Sequence, residues 1–434
     1  MRYSVSKYIQ NVAEFKKQLI YWANQYDTCI CLDSNRAHNL NQLYASYDLI
    51  VAVDAFTSIQ TDYEKAFEEL HIYQSITKDW LFGYLSYDLK NDVEELTSAN
   101  FDGLQFPELF FFQPKKIFLL KDDVLEISYL NCCDDELEYD FETILTIKND
   151  ALIPKEKIKF TISQRVSKDS YLEHTTKMLR YIQEGKVYEA NYCMEFYAEN
   201  ATLNPLELYN KLNEVSLSPF AVYFKNHHHY VASASPERYV KKNGIKLISQ
   251  PIKGTAKRST KSEDDELLKM NLKENSKERS ENIMIVDLVR NDLSQTAIKG
   301  SVAVEELCAV YSYKQVHQMI STIVSEVSPQ TAPVEILRTT FPMGSMTGAP
   351  KIAAMQYIEE LEVTKRGLYS GAMGYFTPEG NFDFNVVIRS VLYNSKNKYL
   401  SYSVGSAITN QSIPSDEYDE CLLKAKALFE IVES

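Results

Sequence analysis

The sequence has no uninterrupted apolar run of about 18 residues, so it offers no candidate membrane-spanning helix. Its start, MRYSVSKYIQNVAEFKKQL, lacks the apolar core of a secretory signal and reads as a strand entering a helix. Cysteine is sparse. Cys29, Cys31, Cys132, Cys133, Cys193, Cys308 and Cys421 are odd in number and show no metal-ligand spacing. Reduced thiols in a cytoplasmic protein follow from that pattern. Positive charge is in deficit: the net charge is −14 and no basic stripe stands out, which argues against a nucleic-acid partner. An anionic ligand must therefore be captured by a local cationic pocket rather than by the overall field. Internal repeats and low-complexity tracts are also missing.

What is present supports a large core. The chain has 434 residues, 45% of them hydrophobic and 12% aromatic, which excludes wholesale disorder. That length suits two or three ordinary domains, or one large body with subdomains. Residues 1–150 are rich in short β-type runs: TCICLDS, DLIVAVDAF, WLFGYLSYDL and PELFFFQPKKIFLLKDDVLEISYL, with a helical pattern near Asp62–His71. The acidic segment from Cys133 to Lys157 reads as a helix plus linker joining the halves. From about Ile158 the texture changes, giving an expected division into 1–150 and 158–432. VSKDSYLEHTTKMLRYIQEGKV is a helix that Ser167 or Asp169 can cap and Gly185 can end. YEANYCMEFYAEN reads as a strand. PFAVYFKNHHHYVASAS reads as a hairpin with its turn near Asn226–His228 and its histidines at a solvated tip. Lys257–Lys277 is highly charged and reads as a mobile loop entering a helix.

Several segments can carry chemistry. In SPERYVKKNGIKLISQPIKGT, Lys253 lies between apolar Ile252 and flexible Gly254, sixteen residues after Glu237. Burial of a lysine lowers its pKa and exposes a nucleophilic amine. A nearby carboxyl such as Glu237 can move protons at a leaving hydroxyl. In KERSENIMIVDLVRND, Glu278 and Glu281 share one helix face leading into an apolar stripe. Glu417 and Glu420 repeat that spacing in SDEYDECLLKAKALFE, with Lys424 four residues further on. Two such helices can make an oxygen-rich Mg²⁺ site, or each can be an ordinary acidic helix surface. FPMGSMTGAPK has the wrong spacing for a phosphate loop, so nucleotide hydrolysis is rejected. Its Pro350 starts a helix, and its glycines let a loop approach a ligand. Arg389, expected in a strand Phe384–Val391, is either on an exposed face or a carboxylate clamp, and Tyr369 can serve the same anion. SVGSAITNQS gives a glycine loop around Gly405 with free backbone N–H groups. His317 is either a core histidine or a ligand contact.

Taken in order, SPERYV, PIKGT, ENIMIVDLVRNDL, FPMGSMTGAPK, YSGAMGY, FNVVIRS and VGSAITNQSIPSDEYDECLLKAKAL resemble the motifs of the chorismate-utilising enzymes. The likeness spans roughly residues 160–430. A looser one, in CLDS and LFGYLSYDL, links the N-terminal half to the amino-transferring members, in which that region can bind tryptophan.

The resemblance implies an α+β fold, with two large, mostly antiparallel β-sheets packed together, helices outside, and the site in a cleft between the halves. It implies Mg²⁺ held directly by Glu281 and Glu420, with Glu278 and Glu417 supporting. Arg389 and Tyr369 would hold the enolpyruvyl carboxylate, helped by backbone donors near Gly405. His317 would lie near the C4 hydroxyl, Glu237 would be the general acid, and Thr255 and Lys424 would line the pocket. Within the family, a lysine in PIKGT resembles the aminodeoxychorismate synthases, whereas anthranilate synthases resemble PIAGT. The implied reaction is attack of Lys253 on ring C2, loss of the C4 hydroxyl, and addition of ammonia at C4. Water-using members carry a lysine base near the position of Glu189 or Ala190, and this chain does not. Amino-transferring members resemble GDxYQVNLS there, so Glu189 stands where glutamine is expected. No cysteine sits in a glutaminase elbow, so ammonia is expected from a separate glutamine amidotransferase subunit.

Overall fold

The strand Thr28–Asp33, sequence TCICLD, is buried along nearly its whole length, which is why its sequence shows no polar alternation. The structure, a computed structural model, describes residues 1–36, 44–148 and 160–433, with the side chains of 427, 428 and 430–433 left undescribed. Among the described residues the named strands pair antiparallel in one connected network.

That network forks at the long strand Leu109–Lys121. One edge of it pairs with Leu49–Thr61. Its other edge takes Leu81–Leu85 near one end and Val124–Leu130 near the other. One limb continues from Leu49–Thr61 through Thr28–Asp33, Phe220–Asn226, His229–Ser235, Ser390–Asn394, Tyr399–Thr409 and Glu189–Ala198. The second limb runs from Leu81–Leu85 through Ala372–Phe376, Phe382–Val386, Arg238–Asn243, Lys246–Gln250 and Val316–Glu326. Ile252–Lys257 and Ala303–Ser312 flank that last strand on its two edges. Strands from before residue 150 thus sit inside the same sheets as strands from after residue 160.

Side-chain alternation sorts the core into two layers. Ile30, Ile50, Ala52, Val222 and Phe224 point into a core shared with Tyr84, Val240, Ile323 and Phe384 of the opposite limb. Their neighbours Cys29, Cys31, Val51, Val53 and Tyr223 point the other way, onto Phe15, Phe141, Met178 and Leu212 of the covering helices. The expected α+β body of two packed antiparallel sheets with outer helices is what the structure shows.

Local signals explain most of the helices. Lys168–Gln183 starts where the Ser167 hydroxyl accepts from the Ser170 N–H. Pro205–Ser216 has Asn204 as its cap and proline in its first turn. Two expectations are corrected. Most of the charged stretch after Lys257 is ordered helix, Ser262–Glu274. The hairpin turn falls at His227–His228 as expected, but His229 is not solvated: it packs on Phe106 at 4.4 Å, and burial pushes its pKa down to about 4. The linker segment holds the helix Leu137–Thr146, and the expected boundary near 150–158 lies outside the described residues.

Candidate active site

Where the two limbs meet, they enclose a cleft of about 790 Å³. Its floor comes from Ile252–Lys257 on one limb and Tyr399–Thr409 on the other. Its walls are the helices Ser276–Ser294 and Pro414–Glu433. No described residue lining it precedes Asn191 in the chain, so none comes from the first 150.

Lys253 reaches the cleft because its strand is bulged. The register against Val316–Glu326 shifts between Ile252 and Thr255, and Gly254 takes φ +96°. Asn282, in the adjacent helix, donates to the Lys253 carbonyl at 3.4 Å and ties that helix to the bulge. The ammonium lies 3.3 Å from Glu189 Oε1, and its side chain is 13% exposed. Burial alone would depress its pKa, as the sequence suggested. The structure reverses that: burial is outweighed by Glu189, Glu281 and Glu237, and the pKa is raised. Lys253 therefore rests as an ammonium, and it needs a proton acceptor before it can act as a nucleophile.

Glu237 sits in the two-residue link between the strands His229–Ser235 and Arg238–Asn243 and is 4% exposed. Burial raises its pKa to about 7, against the opposing pull of a Ser345 hydrogen bond and the Lys253 charge. A carboxyl half-protonated near neutrality suits proton donation to a leaving group.

The two glutamate pairs face the cleft from different helices. Burial, with repulsion from Glu278, raises Glu281 to about 7 although Lys253 opposes it. Burial likewise raises Glu278. Glu417 is buried, whereas Glu420 is exposed at the mouth, where Lys424 at 2.5 Å holds its carboxyl low despite desolvation. Among the described residues no three acidic, histidine or cysteine side chains converge as a ready-made metal cage. The donors are all carboxylate oxygens, and burial raises Glu278 and Glu281 despite the lysines beside them; such a donor set is the kind that Mg²⁺ takes together with waters and substrate oxygens.

The Arg389 side of the cleft is built from a strand break. Phe382–Val386 and Ser390–Asn394 are separate strands, and Arg389 in the gap has φ +53°. The expected continuous strand through Arg389 is thus interrupted, and the left-handed residue turns toward the cleft beside Tyr369, Ile388 and Tyr402. Because Ser390–Asn394 pairs only as far as Tyr402, the strand beyond it has an unpaired edge at Ser403–Ala407 facing the cleft. Gly405 is in this strand, opposite Cys193, and not in a loop as expected. Its carbonyl accepts from Lys424 Nζ at 2.8 Å.

The sequence description "chorismate binding enzyme" matches residues 27–430. The chain belongs to this family. It is 34% identical over 355 residues to an anthranilate synthase component I-like protein of Synechocystis, covering 82% of this chain and 72% of that one. It is 32% identical over 361 residues to aminodeoxychorismate synthase component 1 of Bacillus subtilis, covering 81% and 76%. The chloroplastic aminodeoxychorismate synthase of Arabidopsis thaliana is 36% identical over 394 residues; 86% of this chain matches only 42% of that longer protein. In fold, anthranilate synthase component I from Streptococcus pneumoniae superposes with a TM-score of 0.77 at 22% identity, covering 89% of this chain and 93% of the other. The menaquinone-specific isochorismate synthase of Escherichia coli gives 0.76 at 15% identity, covering 100% and 94%.

On this family's fold, Lys253, Glu237, Thr255, Glu278, Glu281, Tyr369, Arg389, Gly405, Glu417, Glu420 and Lys424 all line one cleft. His317 does not. Its strand neighbours Val316 and Gln318 face the cleft, so its ring points to the opposite side. There it is fully buried between Asp265 and Ser312. Ser345, Gln318 and Asn191 line the cleft and were not singled out from sequence. Ser345 could have been, since it lies inside FPMGSMTGAPK.

Proposed function

We propose that this chain is an aminodeoxychorismate synthase component I. It would convert chorismate and ammonia into 4-amino-4-deoxychorismate, on the route to 4-aminobenzoate and folate. The observation that carries the reading is the pairing of Lys253 with a half-protonated Glu237 in one cleft that also holds Arg389. Chorismate is a dianion entering an acidic protein. Arg389 and Tyr369, with the unpaired strand edge near Gly405, would take the enolpyruvyl carboxylate. Mg²⁺ on Glu281 and Glu420, supported by Glu278 and Glu417, would neutralise the ring carboxylate. Thr255 and Lys424 would complete the wall.

In the proposed sequence the Lys253 amine bonds ring C2, both ring double bonds shift, and the C4–O bond breaks as Glu237 protonates the departing hydroxyl. Ammonia then bonds C4, the double bonds shift back, and the C2–Nζ bond breaks. The ammonia would come from a glutamine amidotransferase subunit acting in the cytoplasm. Lys253→Ala tests the reading. It should abolish 4-amino-4-deoxychorismate formation or divert it to anthranilate, while undiminished activity would contradict the covalent role.

A further inference from the structure

Lys253 rests as an ammonium, yet an amine must attack, so a group in the cleft has to accept its proton. Five carboxylates act on Nζ: Glu189 from the strand Glu189–Ala198, Glu237 from the link before Arg238–Asn243, Glu278 and Glu281 from one helix, and Glu420 from the other. Among the described residues Glu189 is the one in contact, at 3.3 Å. The others act from farther away and have tasks of their own in the proposed reaction.

Glu189 is held for this position and little else. It is 1% exposed, and its Oε2 accepts no hydrogen bond from any described group. Its backbone is clamped on both sides, by Thr409 in one neighbouring strand and by Ala349 in the other. A β-carbon at Gly348 would stand 2.1 Å from the Glu189 carbonyl oxygen, so only glycine lets the FPMGSMTGAPK segment lie this close. The conspicuous glycine motif thus seats Glu189 rather than a phosphate. A buried carboxylate with one partner and one bare oxygen is not explained by stability, because an unsatisfied buried oxygen destabilises a fold.

We propose that Glu189 is the proton acceptor that activates Lys253, and the donor that restores it. This rests on the covalent reading above. The transfers balance. Before attack, one ammonium proton passes from Nζ to Glu189. Nζ then bonds C2 as a secondary ammonium, and the C4 hydroxyl leaves as water with the proton of Glu237. After ammonia adds at C4 and the C2–Nζ bond breaks, Glu189 returns its proton to the free lysine amine. The Glu237 carboxylate takes one proton from the new ammonium at C4. Glutamine, which keeps the shape of this side chain, cannot perform either transfer.

The test withholds ammonia and follows the adduct. Wild-type protein and Glu189→Gln are mixed with chorismate and Mg²⁺, quenched, and the mass of the Lys253 peptide is measured across pH. Wild type should gain the mass of chorismate less one water at neutral pH. E189Q should form the same adduct slower by on the order of 10²-fold at neutral pH and recover as pH rises. Glu189→Asp, which keeps a carboxylate, should retain more of the neutral-pH rate than E189Q and covers the case in which E189Q folds poorly. An E189Q adduct rate and pH profile equal to wild type would overturn the proposal while leaving the covalent reading intact. Product formation by wild type with no adduct on Lys253 at any pH would overturn both.

Discussion

The His317 ring and the Asp265 carboxylate lie 3.0 Å apart on the side of the strand Val316–Glu326 that faces away from the cleft. Asp265 also takes Arg258 and the Ser259 N–H, which hold its carboxyl well below the usual range. The pair anchors the helix Ser262–Glu274 to the sheet. His317→Ala should therefore act on stability, lowering it by about 1–3 kcal/mol through the unsatisfied partners it leaves behind. Thermal unfolding should show the loss, while kcat/KM of the folded fraction should stay near wild type.

Gly254→Ala should damage both fold and site. The added methyl would meet Glu278 Oε2 at 3.1 Å, and φ +96° is a region that L residues rarely adopt. The expected loss is about 1–3 kcal/mol of stability. Because the bulge aims Lys253, turnover should fall further than the unfolded fraction explains.

Glu237→Gln removes the proposed proton donor and should lower kcat by roughly 10²–10⁴-fold. Wild-type turnover should lose its acid form as pH rises through about 7. Stability follows the same group. Native Glu237 keeps its proton to about 7, while an unfolded glutamate releases it near 4.5. The native state therefore binds more protons between those values, and this contribution is present below pH 4.5 and lost as pH rises through 7. Thermal unfolding measured from pH 5 to 8 should show that slope, and E237Q should flatten it.

Arg389→Lys keeps the charge but loses the fork that grips a carboxylate through two N–H donors. The KM for chorismate should rise about tenfold or more, corresponding to ~1.4 kcal/mol. Steady-state kinetics at saturating Mg²⁺ would read it directly, and kcat should change less than KM.

Glu281→Gln and Glu420→Gln should each raise the Mg²⁺ concentration needed for half-maximal activity, and a chelator should abolish wild-type turnover reversibly. Titration of activity against Mg²⁺ separates this outcome from a general loss of folding.

Much of the site was legible because it is written in local motifs. PIKGT, SPERYV and the two Glu-x-x-Glu helices sit on short elements whose spacing fixes which side chains share a face. What was not legible depends on pairing between distant segments. The side of the strand to which His317 points is set by the register of Val316–Glu326 against two neighbours. The charge of Lys253 depends on Glu189, sixty-four positions earlier in numbering and brought near only by the sheet. The break at Arg389 was hidden because the sequence FNVVIRSVLYN is apolar enough to read as one strand. The buried His229 was missed for the same reason: the ring of Phe106 covers it from a segment with no sequence link to the hairpin.

Product analysis separates the two amino-transferring branches of the family. The purified protein is incubated with chorismate, Mg²⁺ and ammonium at alkaline pH, with and without an added aminodeoxychorismate lyase. An aminodeoxychorismate synthase should give 4-aminobenzoate only when the lyase is present. Fluorescent anthranilate formed without it would overturn the proposed function and assign the chain to the other amino-transferring branch.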